Sequence, residues 1–72
     1  MMYQYLIVIE KANGNYLAYS PDLLGCVATG DSLEEVRRNM HEAIEMHLRG
    51  LREDNIPIPE PHAVAEYVSI AI

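Results

Sequence analysis

The alternation of apolar and polar positions divides the chain into segments of different period. Residues 3–10, YQYLIVIE, put Tyr3, Tyr5, Ile7 and Ile9 on one face of a strand, and Gln4, Leu6, Val8 and Glu10 on the other. Both faces are apolar in the middle, which is the pattern of a strand covered on both sides. One helix covers one face of a small sheet, so something else is expected to shield the other. Asn13-Gly14 is a two-residue hairpin signal, because the pair tolerates positive φ, and residues 16–20, YLAYS, are expected to return antiparallel. Pro21 ends that strand, having no N–H to give to a ladder. Residues 26–29, CVAT, read as a short third strand between Gly25 and Gly30.

The period then changes. Leu33, Val36, Met40, Ala43, Ile44, His47, Leu48 and Leu51 recur at helical spacing, opposite a face carrying Glu34, Arg38, Glu42, Glu45, Arg49 and Arg52. Ser32 with Glu35 three residues on is a capping box: the serine oxygen accepts from the Glu35 amide, and the Glu35 carboxylate reaches back to the cap amide. Glu34–Arg38 and Glu45–Arg49 are acid-before-base pairs one turn apart. The helix is expected from Leu33 to about Asp54. Gly50 inside it signals either close backbone packing or an early stop. The alternate prolines of PIPEP, residues 57–61, favour an extended connection. AEYVSIAI, residues 65–72, reads as a last strand with Val68, Ile70 and Ile72 on one face. The order β-β-β-α-β is that of an α+β two-layer sandwich, a three-stranded antiparallel meander plus a final strand, with one long helix packed on the sheet.

Seventy-two residues make one small domain, residues 1–72. Domains below about 70–80 residues often add disulfides, a metal or oligomerisation to a marginal core. A single cysteine excludes an internal disulfide and fits a reducing, cytoplasmic setting. Self-association is therefore expected, as a dimer or a dimer of dimers. With 5 basic against 11 acidic residues, the net charge of −6 argues against a general phosphate-binding surface and favours a basic partner. The chain shows neither a signal-peptide pattern nor an apolar run long enough to span a bilayer, so no membrane association is expected.

The candidate chemistry is thin. Cys26 would need a histidine base to act as a nucleophile, and residues 20–36 contain none, so a packed thiol is the favoured reading. His41 and Glu45 are one turn apart, but His47 lies about 240° round the helix from His41, so the three do not converge and no metal is expected. Glu10, Asp22 and Asp31 each have a turn or helix-dipole explanation, and no spacing forces them into a hydrolytic site. GCVATGDS lacks the spacing of a phosphate loop. No cofactor is expected.

The string YSPDLLGCVATGDSLEEV, residues 19–36, continued by EAIEMHLRGLREDNIPIPEP, residues 42–61, resembles the HicB-type antitoxin core over nearly the whole chain. It departs at Leu24, where family members often have proline. The resemblance implies a partial ribonuclease-H-like fold without catalysis. It further implies binding to a small basic HicA-type toxin, a ribonuclease that cuts mRNA, whose RNA-binding and catalytic surface the antitoxin masks. Exposed acids and the motif loop are the candidate contacts: Asp22, Asp31, Glu34 and Glu35. Many such antitoxins carry a further DNA-binding segment. The sequence here reaches Ile72 just after the last expected strand, so direct DNA binding is not expected. Two other readings stay open: a solitary self-associating protein without a toxin, and a residual ribonuclease-H-like nuclease.

Overall fold

The computed structural model describes residues 2–72. Three strands, β1 (Val8–Ala12), β2 (Asn15–Ser20) and β3 (Leu23–Gly30), form an antiparallel meander in the order β1-β2-β3, followed by one helix, α1 (Leu33–Glu53). Asn13 and Gly14 connect β1 to β2, and only Gly14 takes a left-handed φ, +79°. The helix lies across one face of the sheet. Ala18 of β2, Leu23 and Cys26 of β3, and Val36 and Met40 of α1 form the buried core, flanked by half-buried Ile7, Ile9, Ile44 and Leu48. The expected α+β architecture of a meander and one packed helix is the one observed.

Three boundaries differ from the periodicity reading. β1 begins at Val8, not Tyr3. Val8 pairs with Tyr19, β2 ends one residue later at Ser20, and Pro21 follows. Residues 3–7 thus run past the end of β2 and have no strand to pair with. β3 is longer than CVAT, because Leu23 pairs with Ser20 across an irregularity. The expected last strand, residues 65–72, does not form: the chain beyond Asn55 has no regular secondary structure. A strand requires a neighbour's amides and carbonyls, and residues 64–72 are exposed without one.

Both ends of α1 are closed by local chemistry. Ser32 Oγ accepts from the Glu35 amide at 3.1 Å, as the capping box requires. Glu35 Oε1, however, accepts from the Asp31 amide at 2.8 Å, one residue before the expected cap amide. At the other end Asn55 takes φ +57°, the Ile56 amide donates to the Leu51 carbonyl at 2.8 Å, and the Asn55 amide donates to that of Arg52 at 3.1 Å. This pair of bonds is a Schellman motif, and Pro57 prevents the helix from resuming. Gly50 matches neither expectation: the helix continues through it, and a Cβ there would meet nothing within 4 Å. On the exposed face Glu45 contacts His41, with 3.4 Å between Oε1 and Nδ1, rather than closing on Arg49.

The radius of gyration, 14.0 Å, exceeds the roughly 11 Å of a compact chain of this length. The extents of 49 × 27 × 20 Å agree, and the excess comes from residues 64–72, which project from the sandwich as an arm. No helix among the described residues is long and apolar enough to cross a membrane.

Candidate functional site

The motif loop owes its shape to one glycine. Between the pairs Tyr19↔Val27 and Ser20↔Leu23, β3 carries three residues that β2 does not match: Leu24, Gly25 and Cys26. Gly25 has φ +81°, a conformation that a residue with a Cβ adopts at a cost of roughly 1–2 kcal/mol. In a regular strand Leu23 and Cys26, an odd number of positions apart, would point to opposite faces. The bulge turns both into the core and expels Leu24, which is 96 % exposed. Cys26 is thus a packing residue. Its burial pushes the thiol pKa up, keeping it protonated, the reverse of what a nucleophile needs.

The outer face of the sheet, away from α1, is uncovered. Val8, Tyr19 and Val27 sit opposite one another across the three strands, and Val27 is 56 % exposed. Leu24, in the bulge three residues before Val27 in β3, is exposed as well.

The four acids picked out from the sequence do not form one patch. Asp22 lies in the β2–β3 turn, whereas Asp31, Glu34 and Glu35 follow the other end of β3, roughly 20 Å away along the strand. Asp22 has a structural task that the sequence does not reveal: its Oδ2 accepts from the His62 and Ala63 amides, each at 3.1 Å. Glu35 is occupied by the helix cap. Asp31 and Glu34 present exposed carboxylates beside the start of α1. Among the described residues no group of three His, Cys, Asp or Glu side chains is arranged to hold a metal ion.

A second surface has no counterpart in the sequence reading. Where residues 3–7 overhang the sheet, a groove of about 670 Å³ opens along α1 from Arg37 to Arg52. Tyr3, Tyr5 and Ile7 form one wall, Ile44 and Leu48 the other, and Arg37 and Arg52 also line it. The Tyr5 hydroxyl donates to the Pro59 carbonyl at 2.6 Å, which fixes the PIPEP connection across the end of the sheet. The Tyr5 pKa is raised, chiefly by burial and then by Tyr3, Glu60 and Asp22 nearby. The sequence does carry a signal for this contact: an extended proline segment offers carbonyls unused by secondary structure.

A family model described as HicB-like antitoxin of bacterial toxin-antitoxin system matches residues 5–71. A protein from the rep-hol intergenic region of Haemophilus phage HP1 is 38 % identical over 65 residues, covering 90 % of this chain and 49 % of the phage protein. The chain thus spans about half the length of that relative. A UPF0150 protein of Synechocystis is 35 % identical over 72 residues, covering 99 % of this chain and 91 % of its own. Among solved structures, a chain of the HicA3 and HicB3 toxin-antitoxin complex superposes with a TM-score of 0.71 at 30 % identity, over 83 % of this chain and 70 % of that one.

Proposed function

This chain belongs to the HicB-like antitoxin family, and from that premise we propose that it binds and neutralises a small basic HicA-type toxin that cleaves mRNA. The observation that carries the reading is the likeness to a chain of a solved HicA–HicB complex, at an identity high enough to extend beyond fold. The chain's net charge of −6 suits a basic partner, steering encounter and favouring a long-lived first contact. The surface we assign to the toxin is the uncovered sheet face with expelled Leu24 and Val27, bordered by Asp31 and Glu34. Asp22 and Glu35 support it from within, through the tether and the helix cap. Neutralisation on this reading is steric: the toxin's RNA-binding and catalytic surface is masked, and the antitoxin performs no chemistry. We also propose that the protein works in the cytoplasm and self-associates, as a dimer or a dimer of dimers, since so small a core gains stability from assembly.

Co-expression with the HicA-type toxin of its own operon tests the function. The expected result is a complex that co-purifies, suppresses RNA cleavage and weakens with salt. Leu24→Asp is expected to weaken it by tenfold or more, about 1.4 kcal/mol, while the fold persists because Leu24 makes no core contact. A toxin that is not retained at any salt concentration, or is retained without loss of RNA cleavage, sinks the reading.

A further inference from the structure

The hairpin fixes which backbone groups the sheet leaves open. Its two-residue loop, Asn13-Gly14, is closed by a hydrogen-bonded pair, Ala12 with Asn15. In an antiparallel ladder a residue turns its N–H and its C=O to the same side, and the side alternates along the strand. Asn15, Leu17 and Tyr19 therefore bond to β1, and Tyr16 and Ala18 bond to β3. Tyr16 stands opposite Gly30 and Ala18 opposite Ala28, so Gly30 and Ala28 turn inward to β2. Val27 and Thr29 turn the other way, out of the edge of the sheet. A side-chain contact agrees independently: Asn39 Nδ2 of α1 donates to the Thr29 carbonyl at 2.8 Å. No strand among the described residues lies beyond β3, so the Val27 amide and carbonyl and the Thr29 amide have no ladder partner.

This edge is unprotected where it is regular. Residues 27–30, VATG, contain no charge and no proline, and the Gly25 bulge interrupts only the start of β3. The two sides of the sheet also differ in charge. On the β1 side, Arg37, His41 and Arg52 line the groove, with Glu45. On the β3 side, Asn39 marks the flank of α1 that overlooks the edge. Glu35, one turn before it, and Glu42, one turn after it, lie about 40° and 60° round the helix from Asn39, against about 100° and 80° for Arg38 and Arg49. Asp31 follows β3 directly, and exposed Met46 lies two turns on from Asn39. A strand arriving at β3 thus meets open backbone, apolar side chains and carboxylates, whereas one arriving at β1 meets arginines.

We propose that an extended, basic segment of the toxin adds to the sheet along Val27–Thr29, its backbone pairing with the Val27 amide and carbonyl and the Thr29 amide. The proposal deepens the antitoxin reading and rests on it: the toxin gains a backbone contact beside its apolar contact with Leu24 and Val27. Asn39 sets where the added strand ends, because it already occupies the Thr29 carbonyl. Lysine or arginine side chains on the added strand meet Asp31, Glu35 and Glu42, which fixes the choice of edge and speeds encounter.

The test uses the full chain with the HicA-type toxin of its own operon. Thr29→Pro deletes only an outward amide, since the ladder to β2 runs through Ala28 and Gly30, and an edge strand tolerates proline where the N–H faces away from the sheet. It is expected to raise the dissociation constant for the toxin by about tenfold or more with an unchanged far-UV spectrum. Thr29→Val keeps the amide and is expected to bind within about twofold of wild type. Amide exchange of the wild-type chain needs no substitution: Ala28 and Gly30 are expected to be slow with and without toxin, and Val27 and Thr29 only with it. A toxin that does not bind the wild-type chain overturns the antitoxin reading and strand addition together. A toxin that binds while Val27 and Thr29 stay fast, or that binds Thr29→Pro as tightly as wild type, overturns strand addition alone. Slow exchange of Val27 and Thr29 in the free chain assigns the edge to a second copy and also overturns it.

Discussion

The two ends of this small sandwich are built to different standards. At the end where β3 passes into α1, everything is closed: Val36 and Met40 are fully buried, Ser32 and Glu35 satisfy the helix start, and Gly30 lies directly against the backbone of Val36. At the other end the same helix faces the overhanging residues 3–7 across an open groove, and Ile44 and Leu48 are only half covered. The contrast shows that the core of the domain is centred on one crossing, β3 against the first three turns of α1, and that the remainder of the helix carries apolar surface beyond what its own sheet can cover. An isolated chain is thus stable at one end and unfinished at the other.

The severest way to break the closed end is Gly30→Ala. A Cβ at Gly30 would lie 2.6 Å from the Val36 amide nitrogen and 2.8 Å from its Cα. Those are backbone atoms of the first helical turn and cannot rotate aside, so strand or helix must move. The expected loss exceeds about 3 kcal/mol, the upper range for overpacking, against a total stability of about 4–10 kcal/mol for a chain of this length. Urea denaturation should show the midpoint lowered by roughly a third or more. A variant with near wild-type midpoint would mean that the close approach is dispensable.

Truncations compare the ends directly. Met40→Ala removes a fully buried side chain and is expected to cost about 2–3 kcal/mol. Leu48→Ala, at the groove, is expected to cost about 1 kcal/mol in a monomeric background, because much of its surface is already wet. Denaturation midpoints of the two variants measure both.

Tyr5 tests how the unfinished end is held in shape. Its hydroxyl donates to the Pro59 carbonyl, so Tyr5→Phe is expected to cost about 1 kcal/mol at neutral pH. Burial raises the folded-state pKa of Tyr5 above that of the unfolded chain. The folded state therefore holds the proton more tightly, the contribution is complete below about pH 10, and it is lost as pH rises beyond that through the folded pKa. The stability gap between wild type and Tyr5→Phe should shrink in alkali. A gap that is constant to pH 11 or wider there (about one unit above the ordinary tyrosine value) would contradict this account of the contact.

The same contrast decides what is legible in the sequence. The meander, the helix and its cap follow from period and local chemistry, which act between residues near in sequence: Ser32 with Glu35, Pro21 after Ser20, Leu33 to Leu51 on one stripe. The bulge at Gly25 is not legible, because the alternation rule assigns Leu23 and Cys26 to opposite faces and only tertiary packing reverses it. Nor is the tether, since Asp22 finds His62 and Ala63 across forty residues, and a lone acid after proline reads as an ordinary turn. Residues 65–72 do carry the pattern of a strand, but a pattern states which faces are apolar and not which molecule supplies the neighbour. Asp31 and Glu34 are legible as exposed acids. Leu24, the most exposed apolar residue of the motif, looks in the sequence like a minor departure from the family pattern, because its exposure depends on the bulge.

The smallest expected effect sets two glycines against each other. Gly30 is required because a helix backbone occupies the place of its missing side chain. Gly50, in the last turns of α1, has no positive φ, and a Cβ placed on it would have no atom within 4 Å. Alanine there meets no obstacle and lowers the entropy lost on helix formation, so Gly50→Ala is expected to stabilise the single chain by up to about 1 kcal/mol. Thermal unfolding should show the one substitution acting with opposite signs at the two ends. A Gly50→Ala protein less stable than wild type as a monomer would mean that the lower helix is already packed at Gly50, and the open end would no longer be open.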